Sequence, residues 1–176
     1  MMQEFIHQLL KLVDQEIREI HTAIPGEITS FDADTGLASV IPSMKFRKPD
    51  GSTVDYPQIS GVPVVFPQGM GGEATIAYPV KAGDSCLIII SEQSLDYWMY
   101  GQETDTDLAF DISNAICIPG LFNTANKVMA EACQKNAIIV DVNGTRLSVS
   151  DGEVAIEAPV VKMSGDLVVE GTVTSS

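Results

Sequence analysis

The chain has 176 residues, 45% of them hydrophobic, which is room for one sizeable domain or a small domain with appendages, and enough to bury a core. Its 24 acidic and 10 basic side chains leave a formal net charge of −14. That argues against a nucleic-acid backbone and against anionic lipid head groups as partners, because both call for clustered Lys and Arg.

Three cysteines, Cys86, Cys117 and Cys133, form no CxxC pair, which speaks against a disulfide framework or a zinc site. Cys86 and Cys117 sit in apolar runs and read as small core residues of a protein made in a reducing cytoplasm. No run of 18 apolar residues occurs, so no membrane-spanning helix is expected. The start, Met1-Met2-Gln3-Glu4, lacks the basic region of a secretion signal.

Residues 3–22 contain neither Gly nor Pro and predict a helix. Ile6, Leu10, Val13, Ile17, Ile20 and Ile24 form a heptad seam, and Ile-rich seams lean toward trimers. Phe5, Leu9 and Leu12 widen the stripe. An amphipathic helix lying on its own domain is the competing reading. Pro25-Gly26 is expected to end the helix.

From residue 27 to about 120 the pattern is strands and turns. Glu27–Phe31 and Leu37–Pro42 flank the turn Asp32–Gly36, a hairpin. Met44–Arg47 and Val54–Tyr56 flank Pro49-Asp50-Gly51, a second hairpin. Residues 59–66 read as an edge strand because of Pro63. Gln68–Gly72 is a loop, Ala74–Tyr78 a short strand and Pro79–Asp84 a turn. Ser85–Ser91 is a continuous apolar run, expected to be buried on both faces. Ser94–Tyr100 reads as a short helix. Residues 116–121 give a last strand. About five antiparallel strands closed by a short helix fit a small Greek-key barrel of the OB type. Residues 122–135 read as a linker with one helical turn.

The tail, residues 136–176, alternates apolar residues in short bursts: Ile138, Val140 and Val142; Leu147 and Val149; Val154 and Ile156; Leu167 and Val169. Each burst stops at turn chemistry, such as Asn143-Gly144 and Asp151-Gly152. Strands this short leave one apolar row and two open edges, which a single copy cannot cover. Three copies wrapped about one axis would turn the rows inward and pair edge to edge. A hairpin appendage packed on its own domain is the alternative.

Several blocks now resemble a known family. Ile24-Pro25-Gly26-Glu27-Ile28-Thr29-Ser30-Phe31-Asp32, Ala38–Pro42, Val62–Pro67, Pro79–Asp84, Ser94–Trp98 and Ala115–Leu121 are similar, in order, to the opening domain of the central spike, or membrane-piercing, proteins of phage baseplates. The resemblance covers residues 24–121; the tail matches in style rather than in motif. It implies a mainly β homotrimer with an OB-fold domain (25–121) and an intertwined triple-stranded β-helix spike (136–176), joined to the N-terminal helix (1–24) and the linker (122–135) read from the residue pattern. It also implies a place at the distal end of a contractile tail, contact with the tail hub and other baseplate proteins, passage through the host outer membrane when the sheath contracts, and no catalysis. The trimer interface expected from the heptad seam and the tail alternation comprises Ile6, Leu10, Val13, Ile17, Ile20, Ile138, Val140, Val142, Leu147, Val149, Val154, Ile156, Leu167 and Val169.

One departure matters. Spikes of this family usually end in an apex whose His-x-His motif binds iron, a ligand set that suits a transition metal. Here the histidines are His7 and His21, both in the expected N-terminal helix. No cofactor is expected. The sequence is then a truncated piece, or a separate tip protein caps the spike, or the spike is blunt. Glu103-x-Asp105-x-Asp107 opens like a calcium loop but has Leu108 and Asn114 where Gly and Glu are needed. Gly69-x-Gly71-Gly72 lacks the Lys of a phosphate loop. No Ser or Cys pairs readily with a His base. Tyr97, Trp98 and Tyr100 could stack a ligand, but core or interface packing suits the charge balance better. An OB-fold module binding a protein or an oligosaccharide is the second functional reading, and a hydrolase the third.

Overall fold

The computed structural model describes residues 2–48, 50–102 and 108–174. It forms two compact units, Met1–Phe122 and Asn123–Ser176, each taken by itself below.

The first unit opens with α1 (Met2–Glu19), a helix exposed along the described part of its surface. It ends three residues before the expected stop, and Ile20 lies beyond it, its N–H donating to the Ile17 carbonyl at 3.3 Å. The Pro25-Gly26 pair does not terminate the helix. Both residues lie inside β1 (Ala23–Asp32), and Ile24, the last residue of the expected seam, packs against the core instead. The reason is tertiary: Ala23–Glu27 pairs with β8 (Ser85–Ile90), so ladder formation outweighs the local breaker signal. Gly26 is required there. A Cβ would press on Ile88 and sit 2.9 Å from the Ile41 carbonyl oxygen.

β1 returns through Asp32–Gly36 into β2 (Leu37–Pro42). The Asp32 carboxylate caps this turn by accepting the Asp34 N–H at 3.0 Å, and Gly36 adopts φ +70°. β3 (Lys45–Arg47) and β4 (Thr53–Asp55) form the second hairpin, whose turn residue Pro49 lies outside the described residues. β5 (Ile59–Pro63) pairs with β2 across a register shift. Gly61, at φ +73°, lies beside that irregularity. β6 (Gln68–Gly69) and β7 (Ala74–Thr75) are a two-residue pair about a 3-10 turn. After β8 come α2 (Asp96–Tyr100) and β9 (Ala115–Pro119).

The main sheet has the order β5-β2-β1-β8-β9, antiparallel throughout, and it curls into a half-barrel. Its two edges approach at one parallel bridge, Val64–Cys117, where the Val65 N–H donates to the Cys117 carbonyl at 2.9 Å. This partly open five-stranded barrel fits the expected OB type. Ile28, Val40, Val62, Cys86, Ile88 and Cys117 fill the interior. The run Ser85–Ile90 is not buried on both faces as expected. It alternates, with Cys86, Ile88 and Ile90 inside and Leu87 and Ile89 half-buried, because the outer surface of the barrel is not covered by a second layer there.

The second unit starts with α3 (Lys127–Lys135), nine residues where the sequence suggested a linker with one turn. Asn126 caps it, accepting the Val128 N–H at 2.7 Å, and Asn136 closes it at φ +48°. β10 (Ile138–Val142), β11 (Thr145–Ser150) and β12 (Glu153–Glu157) follow as an antiparallel meander. Its turns are the Asn-Gly and Asp-Gly pairs read from sequence. Asn143 and Gly144 both take positive φ, the geometry of a tight primed hairpin turn. Residues 158–174 form no strand, so the expected strand around Leu167 and Val169 is absent from the single chain. A burst that short has no ladder of its own and needs a neighbouring strand to supply one.

Candidate functional site

The three tail strands sort their residues by face. Ile138 stands opposite Val149 and Val140 opposite Leu147, while Leu147 also faces Ile156 and Val149 also faces Val154. With Val142, these seven aliphatic side chains share one face of the sheet, and all are exposed, from 39% at Leu147 to 72% at Ile138. A contiguous aliphatic face of this kind is uncommon on the surface of a monomeric protein. Leu167 and Val169 are exposed as well, but lie in the strand-free segment.

The opposite face is built differently. Ile139, Asp141, Arg146, Ser148 and Ala155 are half-buried there, and α3 packs onto β10. Arg146 pairs with Asp141 directly across the ladder through Nε. Its Nη1 reaches Glu131 Oε2 of α3 at 2.8 Å, and Glu131 Oε1 also takes Lys135 Nζ at 2.7 Å. Hydrogen bonds from Lys135 and then from Arg146 hold the Glu131 carboxyl below its ordinary value. The arginine fork thus ties helix to sheet, and α3 occupies one side of the sheet only. Asp141, Glu153 and Glu157 lie opposite the aliphatic face. The reading of the sequence missed Arg146 as the clasp. An Asp five residues before an Arg across an Asn-Gly turn was the available signal.

The expected N-terminal contact residues are also open to solvent. Ile6, Leu10, Val13 and Ile17 lie on α1 at 49–61% exposure, and Ile20 follows at 50%. Phe5, Leu9 and Leu12 broaden this face.

Elsewhere the chemistry is sparse. Among the described residues no three His, Cys, Asp or Glu side chains gather to hold a metal ion. The Glu103–Asp107 calcium-like segment lies outside the described residues. His21 makes an edge contact with Tyr56 at 5.8 Å. Cys86 and Cys117 are buried core residues, and the Cys117 thiol, hydrogen-bonded to Cys86 and desolvated, is held far above its ordinary value and stays neutral. A neutral buried thiol is a poor nucleophile. An open groove of about 360 Å³ runs along the β1–β2 hairpin past Ser30, Phe31, Asp32, Thr35, Ser39 and Gly61. The Asp32 carboxylate beside it, engaged first by the Thr35 side chain and then by the Asp34 N–H, is held low and committed to its turn. Among the described residues no helix is long and apolar enough to cross a membrane.

Residues 24–120, more than half of the chain, match the family model described as the phage protein Gp138 N-terminal domain. The match begins in β1 and ends just past β9, so it covers the curled barrel. No curated protein matches the chain.

Proposed function

We propose that this chain, which belongs to the phage protein family defined by the Gp138 N-terminal domain, is the central spike of a phage tail baseplate, assembled as a homotrimer. The observation that carries this reading is the seven-residue aliphatic face of β10–β12, left bare while α3 and the Arg146 clasp cover the other side. Three copies would bring three such faces to one axis and remove them from water. The same closure would complete the open backbone edges of β10 and β12 between chains. Residues 158–174, which have no ladder in one chain, would find neighbours in the wrapped form.

In this role the barrel is the collar held by the hub and the tail is the shaft. The shaft passes through the host outer membrane when the sheath contracts. The work is mechanical, so neither catalysis nor a cofactor enters it. A shaft of interwoven chains unfolds only when all three separate, which gives the kinetic stability that a piercing tool needs. The test is the solution mass by light scattering. Three chains of 18.9 kDa give about 57 kDa. A monomer that keeps its β-structure would end the proposal.

A further inference from the structure

The first tail hairpin carries a reactive pair of residues that the spike reading does not use. Asn143 and Gly144 are the two central residues of the β10–β11 turn, at φ +52° and +89°, and both are exposed. Among the described residues no hydrogen bond holds the Asn143 side-chain amide. The Gly144 N–H is loosely held too. Its contact is Asp141 Oδ1 at 3.5 Å, the outer limit of a hydrogen bond. A side chain at residue 144 would meet nothing within 4 Å, so the space beside this residue is open. An unengaged carboxamide therefore stands next to an accessible, unhindered backbone nitrogen.

The other asparagines each lack a part of this arrangement. Asn114 is buried, and its amide donates to the Leu108 carbonyl at 2.8 Å. Asn126 is committed to capping α3. Asn123 precedes Thr124, whose branched Cβ crowds the nitrogen that would attack. Asn136 is exposed and left-handed like Asn143, at φ +48°, but it precedes Ala137 rather than Gly.

We propose that Asn143 is a site of spontaneous deamidation, with water as the co-reactant. The Gly144 nitrogen gives its proton to hydroxide and attacks the carbonyl carbon of the Asn143 side chain. The bond from that carbon to the side-chain nitrogen breaks, ammonia leaves, and a five-membered succinimide closes. Water then opens the ring at one carbonyl or the other, giving aspartate or isoaspartate. Closure requires rotation about the Asn143 Cα–C bond, and an exposed two-residue turn supplies it by local opening. Isoaspartate routes the main chain through the side chain and so adds a methylene to the turn. Turn type and loop length fix hairpin register, so the longer turn loosens the pairs Val140–Leu147 and Ile138–Val149.

The test holds the full chain in mildly alkaline buffer, folded and in urea, and maps tryptic fragments by mass. Cleavage at Lys135 and Arg146 leaves Asn136 and Asn143 on one fragment, so the first serves as the internal control for the second. Isoaspartate is marked with an isoaspartyl methyltransferase. The folded chain should lose the intact fragment through conversion at Asn143 while Asn136 stays intact. Amide-exchange protection at Val140 and Leu147 should fall with it. The Asn143→Gly variant keeps residues suited to a primed turn and should leave the fragment unmarked. A folded chain that stays intact while the urea-treated chain converts would overturn the site. Equal conversion at Asn136, a mark persisting in the variant's fragment, or unchanged exchange protection after conversion would each overturn it as well. The readouts are separate from the solution mass, by which the trimer is judged.

Discussion

Val154→Asp separates a shaft built around an axis from a sheet that ends in solvent. Val154 is 65% exposed in one chain and stands opposite Val149 on the aliphatic face. In a single chain the substitution therefore removes little, because a carboxylate there stays hydrated, and surface changes usually fall within about 0.5 kcal/mol. In a threefold shaft the same position is dry. Full burial of an aliphatic side chain contributes about 1.5–3 kcal/mol, and the seven residues of the face have roughly half of that still to gain, so closure yields about 1 kcal/mol each, or ~7 kcal/mol per chain. Withdrawing one unpaired carboxylate from water costs several kcal/mol, and three would meet at the axis. The variant thus cancels most of the gain. The assay compares parent, Val154→Asp and Glu153→Gln by light-scattering mass and by resistance to SDS at matched concentration. Glu153 lies on the other face, opposite Ser150, and its neutralisation should leave mass and resistance unchanged. Val154→Asp should be monomeric and SDS-sensitive while the barrel still folds. A trimeric, equally resistant Val154→Asp would refute the axial placement of this face.

Three further outcomes follow from the same geometry. Ile17→Asp places a charge in the exposed α1 face; if that face lines a threefold seam, the variant should lose thermal stability as a trimer and incorporate poorly into tails, whereas normal behaviour would make α1 a surface helix. Gly26→Ala should destabilise the barrel by about 1–3 kcal/mol, because the added methyl meets Ile88 and the Ile41 carbonyl, and calorimetry should read a fall of roughly 5–10 °C; an unchanged melting temperature would show that the strands can spread. The lowered Glu131 carboxyl contributes stability that is fully present above its ordinary value of 4.5 and is lost as pH falls through its lower folded value. Acid titration of the folded chain should therefore loosen α3 from the sheet below that window, and Glu131→Gln should remove this acid-dependent step; an identical acid profile in the variant would deny the clasp a part in holding the helix.

Much of the chain was legible because its signals are local. Asn143-Gly144 and Asp151-Gly152 set the hairpins of the tail, and period-two alternation put Ile138, Val140, Val142, Leu147, Val149, Val154 and Ile156 on one face before any pairing was known. The succession of strands and the short helix before the last one indicated a small barrel, and the ordered blocks across residues 24–121 pointed to the phage family that residues 24–120 match. What failed did so where a distant partner intervened. Pro25-Gly26 looked like a stop and became mid-strand, because β8 pairs along it and Gly26 leaves room for Ile88. Ser85–Ile90 looked buried on both sides and alternates, because a curled sheet has one inside. Residues 127–135 looked like linker and became a capped helix, held by an arginine that lies on a strand eleven residues beyond its end. Turn chemistry and periodicity are properties of neighbouring residues, so the sequence by itself determined the tail hairpins and the faces of their strands. Which strands meet, and what each face packs against, depends on residues far apart in the chain. Those were decided only by the tertiary structure.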